Sequence, residues 1–288
     1  MPAHSLKQTL DALTEECQLA ERIRRDPVQF PRRYDSPADG EVVAFIASAL
    51  AYGKVDLFMA VTSKILAGLG KRPAEFIGNF DPKRDKKRFS GIYYRLSTEA
   101  DIVCLLYLLG EVLKRHGSLK KTFSEGWAPE EDTIGQAVSR FTHTALAIDT
   151  TPVYGRNTRP QGITHLFPSP DQGSPCKRLC MFLRWMVRPD DGVDLGLWPE
   201  IPPSKLVIPL DTHIARISRM IGLTRLKNPS WRMAVDITNH LRQFDPNDPV
   251  KYDFALAHLG ISGDCPTRRD AVKCAPCNLA PFCITVER

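Results

Sequence analysis

The stretch "SPADGEVVAFIASALAYG" (36–53) decides the fold class. Ser36 is placed to cap a helix, Pro37 takes the first helical position, and acidic residues follow in the opening turn. The run is then apolar as far as Gly53, with no alternation of apolar and polar residues, so it predicts a helix. Working outward, the same period predicts helices at 55–69, 101–115 (ending at Gly117), 134–147, 176–187, 212–221 (stopped by Gly222) and 231–243 after Ser230. A last helix is expected at 250–259, opened by Asp248 and Pro249 and closed by Gly260. No stretch sustains a strand-like alternation, and the expectation is an all-α protein. Pro and Gly gather at 151–175 and 189–209, long connections of the kind that carry function. A composition break near 200 separates a C-terminal helical region (200–288) from a helical body (36–199), which an N-terminal segment (1–35) precedes.

At 288 residues, with 43% hydrophobic and 25% charged residues, the chain has the make-up of a globular protein with a sizeable core. The opening 25 residues carry charge throughout and lack the apolar core of a signal peptide. The longest apolar runs, such as "IVCLLYLLG" (102–110), are too short to span a bilayer. An intracellular protein with no membrane partner is expected, a setting that disfavours disulfides. The net charge is +6 and the pI about 8.9, compatible with a polyanionic partner. Basic residues cluster at "RIRRD" (22–26), "PRR" (31–33) and "KRDKKR" (83–88); each run alone reads as a solvated face.

"CPTRRDAVKCAPCNLAPFC" (265–283) places Cys265, Cys274, Cys277 and Cys283 within nineteen residues. Disulfides, a zinc ion and an iron–sulfur cluster are the three possible uses. Structural zinc sites usually present two tight ligand pairs, whereas only Cys274 and Cys277 form one here. Four thiolates from one short loop can instead wrap a cubane, so the spacing favours iron–sulfur over zinc. Of the other cysteines, Cys17, Cys104 and Cys180 read as buried apolar residues and Cys176 as the one open to solvent. Arg268, Arg269 and Lys273 form a basic spur between the first two ligands, suited to phosphates or simply to solubility.

"IPLDTHIARISRMIGL" (208–223) sets Asp211 before an amphipathic helix carrying Ile214, Ile217 and Ile221. An N-cap accounts for Asp211 fully, yet a capping carboxylate can also face a cleft. Upstream, "PSPDQGSPCKRLCMFLRWMV" (168–187) is a Pro/Gly turn leading into a helix. Lys177 and Arg178 lie in its first turn, where cations oppose the helix dipole. An anion bound there would offset the opposition.

In this order, a turn and helix with a lysine, a long loop, "LDTH" and a four-cysteine loop, the chain resembles the helix-hairpin-helix DNA glycosylases of the endonuclease III-like type. The resemblance is specific over roughly 170–283. It implies an all-α, two-lobed fold: a six-helix barrel with a hairpin faces a lobe built from both chain ends that carries a [4Fe-4S] cluster, zinc being the alternative occupant. It further implies that a monomer binds duplex DNA in the cleft and flips out a damaged or abasic nucleotide. Asp211 matches the essential aspartate, Lys177 the lysine of members with lyase activity, and Cys265, Cys274, Cys277 and Cys283 the cluster ligands. Gly173, Ser174 and Arg178 fall at the hairpin, and Arg268, Arg269 and Lys273 on the spur, as DNA contacts; Tyr52 falls where a residue fills the vacated base position. The implied function is a DNA-repair glycosylase with abasic-site lyase activity. A non-catalytic nucleic-acid-binding iron–sulfur protein on the same fold is the alternative, and a zinc-stabilised RNA-binding module ranks third. Two departures mark a divergent branch. The family hairpin is usually Leu-Pro-Gly-x-Gly with the lysine two residues on, but "DQGSPCK" keeps only Gly173; and "RPDDGVDLGLWPEIPPSK" (188–205) lengthens the connection to Asp211.

Overall fold

The computed structural model describes residues 5–17 and 22–284. Regular structure among these residues is helical, apart from one isolated bridge between Tyr94 and Ser97. Helix α1 spans Leu6–Glu15, and the central helix α2 spans Pro37–Leu50. In α2 the Ser36 hydroxyl accepts the Asp39 N–H, and every residue from Asp39 to Leu50 is buried. A helix apolar on all sides needs neighbours on all sides. They come from α3 (Val55–Leu69), α4 (Pro73–Gly78), α7 (Leu119–Glu125) and α11 (Lys177–Val187), while α5 (Pro82–Asp85), α6 (Glu99–His116), α8 (Gly135–Ala147), α9 (Thr151–Tyr154) and α10 (Gln161–Leu166) complete the helical body. Phe45 anchors the assembly, its ring centroid 5.4 Å from Phe141, 5.8 Å from Phe167 and 5.3 Å from Phe182. Through Phe182, α11 packs directly on α2.

The long connection after α11 is tied down rather than loose. Trp185 O accepts the Leu195 N–H at 2.8 Å, and Met186 O accepts that of Trp198, also at 2.8 Å. Asp194, fully buried, receives Arg184 Nε at 3.2 Å and also the Arg188 guanidinium. Buried charges persist only when paired in this way, so the inserted loop is fixed by ions as well as by apolar contact.

The C-terminal region contributes α12 (Thr212–Met220), α13 (Trp231–Phe244), α14 (Asp253–Ile261) and the short α15 (Ala271–Cys274). Here the expected start of the last long helix is corrected. Helix α14 begins at Asp253, not after an Asp248 cap, because the Asp248 carboxylate is taken by Arg188 Nε at 2.9 Å. Nor does Gly260 end the helix. It lies inside α14, where a Cβ would meet the His213 side chain at 2.6 Å, so the glycine permits close approach of α12. From the N-terminal segment, α1 packs against α14, with Tyr252 donating to Asp11 at 3.0 Å and Lys251 pairing with the same carboxylate at 3.0 Å. The rest of that segment at 1–4 and 18–21, and the last stretch of the C-terminal region at 285–288, lie outside the described residues. No helix among the described residues is long and apolar enough to cross a membrane.

Candidate functional site

The turn before α11 owes its shape to two left-handed residues. Gly173 has φ +73°, natural for glycine, and Cys176 has φ +48°, uncommon for any other residue. The Gly173 carbonyl accepts the Trp231 N–H at 3.1 Å, and the Ser174 hydroxyl accepts the Cys176 N–H at 3.2 Å. The turn is therefore clasped to α13 on one side and to itself on the other. Cys176 is buried, not solvent-facing as the sequence suggested; its backbone twist carries the thiol inward, where it donates to Ser174 O at 3.3 Å, and burial pushes it up to about 12.

Lys177 opens α11 with its side chain partly exposed. Arg178 turns the other way. Its guanidinium is buried, donates to Ala49 O at 2.6 Å and to His165 O, and lies 5.0 Å from the centroid of the Tyr52 ring. Burial lowers its pKa to about 10. Arg178, expected at a phosphate, is thus spent on closing the ends of α2 and α10, whose last carbonyls lack intrahelical partners.

Tyr52 lies just beyond α2, half-buried, 4.8 Å from the Tyr94 ring and 4.8 Å from the His165 ring. Its hydroxyl donates to Tyr94 O at 3.2 Å, while the Tyr94 hydroxyl donates to Tyr52 O. Burial, then Arg178 and Arg95, push His165 down to about 4, so the ring is neutral near pH 7.

Asp211 caps α12, Oδ1 accepting the Ile214 N–H at 2.8 Å. Its Oδ2 has no protein hydrogen bond among the described residues, so capping leaves half of the carboxylate open. Below it stands a residue the sequence did not single out. Asp253, at the head of α14, is buried and accepts Arg184 Nη1 at 2.5 Å. Burial pushes its carboxyl up to about 6 against the pull of Arg184; Asp211 raises it further and Lys177 lowers it. Arg184 thereby ties α11, the helix that Lys177 opens, to the head of α14. Nothing in the sequence marks Asp253 or Arg184, because their importance lies in an ion pair between distant segments.

The four clustered cysteines, all free thiols, line one cavity of about 440 Å³ with Arg216, Arg268 and Arg269. Arg216 of α12 grips the loop at its first cysteine, 3.4 Å from Cys265 Sγ and 2.7 Å from Cys265 O. The Asp270 N–H points at Cys274 Sγ from 3.4 Å. Burial raises the Cys283 thiol, and the other three cysteines add to the rise. Among the described residues, no three His, Cys, Asp or Glu side chains gather closely enough to hold a single ion. Arg268, Arg269 and Lys273 are exposed, and Lys273 Nζ donates back to Gly263 O at 2.8 Å.

Fold and site together define an all-helical protein with a clasped turn at a lysine, a half-open capping aspartate and a four-thiol cavity. The chain belongs to the family described as protein of unknown function (DUF2400), which it matches over residues 26–262. That stretch contains Lys177, Asp211 and Asp253 and stops just short of Cys265. No curated protein matches the chain, and no solved structure does.

Proposed function

We propose that this protein is a DNA-repair glycosylase with abasic-site lyase activity, built as a two-lobed helical barrel and cluster lobe and acting on a nucleotide flipped out of duplex DNA. One observation carries the reading: Asp211 caps α12 and keeps Oδ2 free, while α11, the helix that Lys177 opens, is tied into the same C-terminal region by Arg184 Nη1 on buried Asp253 at 2.5 Å. Breaking an N-glycosidic bond builds positive charge on the sugar while the base leaves with the bonding electrons. Asp211, with Oδ2 open, would stabilise that charge through space. The Asp211 carboxylate would take one proton from the Lys177 ammonium, and the neutral Nζ would attack C1′; as the C1′–O4′ bond breaks, a second Nζ proton would pass to O4′, leaving a protonated Schiff base. Loss of a C2′ proton and departure of the 3′ phosphate would complete strand cleavage.

The thiols suit an iron–sulfur cluster. They are unpaired with one another, they share one cavity, and an N–H group and a guanidinium already face two of the sulfurs. Cys265, Cys274, Cys277 and Cys283 would hold a [4Fe-4S] group, which supplies order to the loop when bound. The basic residues Arg268, Arg269 and Lys273 would then face phosphates from a fixed position.

A second reading, a nucleic-acid-binding protein without the chemistry, is favoured by Pro175 and Arg178. Proline removes a backbone N–H from the turn, and Arg178 is withdrawn from the surface. Borohydride trapping on abasic-site duplex separates the two. The glycosylase–lyase reading expects a covalent adduct that disappears in Lys177→Ala and forms far more slowly in Asp211→Asn. Tight duplex binding with no adduct and no cleaved strand would leave the binder.

A further inference from the structure

The basic run at 83–88 plays no part in the site above, yet the structure gives it a shape. Asp81 and Asp85, its two acids, are both turned to structural work. Asp81 caps α5 by accepting the N–H groups of Lys83 and Arg84, and Asp85 is buried, accepting the Asp81 N–H at 2.9 Å and pairing with Arg84 at 2.7 Å. Arg84 thus covers the buried acid, while Lys83, Lys86 and Lys87 are exposed and take part in no ion pair among the described residues. The turn that follows α5 presses on the end of α3, where a Cβ on Gly68 would meet the Phe89 ring at 2.7 Å. That packing brings in more cations: Lys71, Arg72 and Arg84 line one hollow of about 420 Å³, and Arg88 lies 4.8 Å over the Phe76 ring. Residues 71–88 hold seven Lys and Arg against three acids, a net +4 of the chain's +6, although Arg72 is paired with Glu75 at 3.1 Å in the same hollow and Arg84 with Asp85.

Unpaired lysines gathered on one short element suit the phosphate rows of duplex DNA, the polyanion that the chain's net charge of +6 already fits. We infer that the surface formed by Lys71, Lys83, Lys86 and Lys87 is a second duplex-binding face, engaging undamaged DNA outside the nucleotide pocket. It rests on the reading of duplex DNA as the partner, but not on any catalytic step. Removing one lysine–phosphate pairing makes the dependence of log affinity on log salt shallower by about 0.9.

The test is binding of an undamaged, fluorescently labelled duplex across a KCl series, comparing the full-length protein with Lys83→Gln/Lys86→Gln/Lys87→Gln. The expected result is a slope shallower by about 2 to 3 in the triple variant, with unchanged melting temperature and unchanged iron content. An unchanged slope, or wild type that does not bind duplex, overturns the inference. So does binding that the substitutions weaken on phosphatidylserine vesicles but not on duplex. Borohydride trapping on the same preparations separates the two readings: an adduct with no slope change removes this face and leaves the glycosylase. A slope change without any adduct leaves this face and removes the lyase.

Discussion

The turn that carries Lys177 and the loop that carries the cysteines are held in opposite ways. The turn is clasped by Trp231 and followed by α11, of which every residue after Lys177 is buried. The cysteine loop, over 262–284, buries only Leu279. Its backbone bonds run mostly within itself; Ser262, Gly263 and Cys265 bond back to the last turn of α14, and Ile284 bonds to Met220 of α12. Packing alone specifies the first region. The second has too little apolar contact to offset its chain entropy, and a group bound by the sulfurs would supply the missing order.

The sharpest way to break this comparison is to remove the sulfurs. Cys274→Ser with Cys277→Ser should abolish bound iron, since a structural metal site contributes on the order of 10 kcal/mol of binding free energy. Hydrogen exchange should then accelerate across 264–284 and stay slow in α2 and α11. Fast exchange spreading into α2 would mean that the two regions are not independent. The converse change is Phe45→Ala, which opens a cavity among Phe141, Phe167 and Phe182 and should cost about 3 to 5 kcal/mol. Calorimetry should show melting lower by roughly 6 to 15 °C, while iron per chain remains that of wild type.

The smallest effect tests how tightly the central helix is packed. Glu41 is buried in α2, and burial pushes its carboxyl up to about 7 even though it accepts the Lys120 N–H at 2.6 Å. Because the folded pKa is raised from 4.5, its contribution is most favourable below about pH 4.5 and is lost as the pH climbs through 7. Glu41→Gln keeps an acceptor and carries no charge, so it should flatten that decline. At pH 8 it should gain up to about 3 kcal/mol over wild type in denaturant titrations. A variant less stable than wild type at pH 8 would show that the carboxylate is better solvated than its burial suggests.

Much of this was legible in the sequence where the signal is local. Ser36, Ser230 and Gly117 mark helix ends because capping depends on the few residues around them. The short helices α4, α5, α7, α9 and α10 were not legible, since a few residues carry too little periodicity to detect. Arg178 was misread for a different reason: its partners, Ala49 O and His165 O, belong to distant segments. The same holds for Asp248, which would be a good cap had Arg188 not claimed it. Lys177 and Asp211 could be picked out as residues; the buried pair of Arg184 and Asp253, which ties the helix of Lys177 to α14, exists only in three dimensions.

The crossed bonds of Tyr52 and Tyr94 set a limit on movement around that site. Each hydroxyl holds the other's backbone carbonyl, so a ring that swings out breaks its own bond while the second still ties the two segments together. Arg95, at φ +54° in the turn beside them, is held in a shape that few side chains favour. The segment after α2 and the segment before α6 consequently count as a single moving part. A displacement imposed on one is felt at once by the other, much as two gears sharing an axle turn together or not at all.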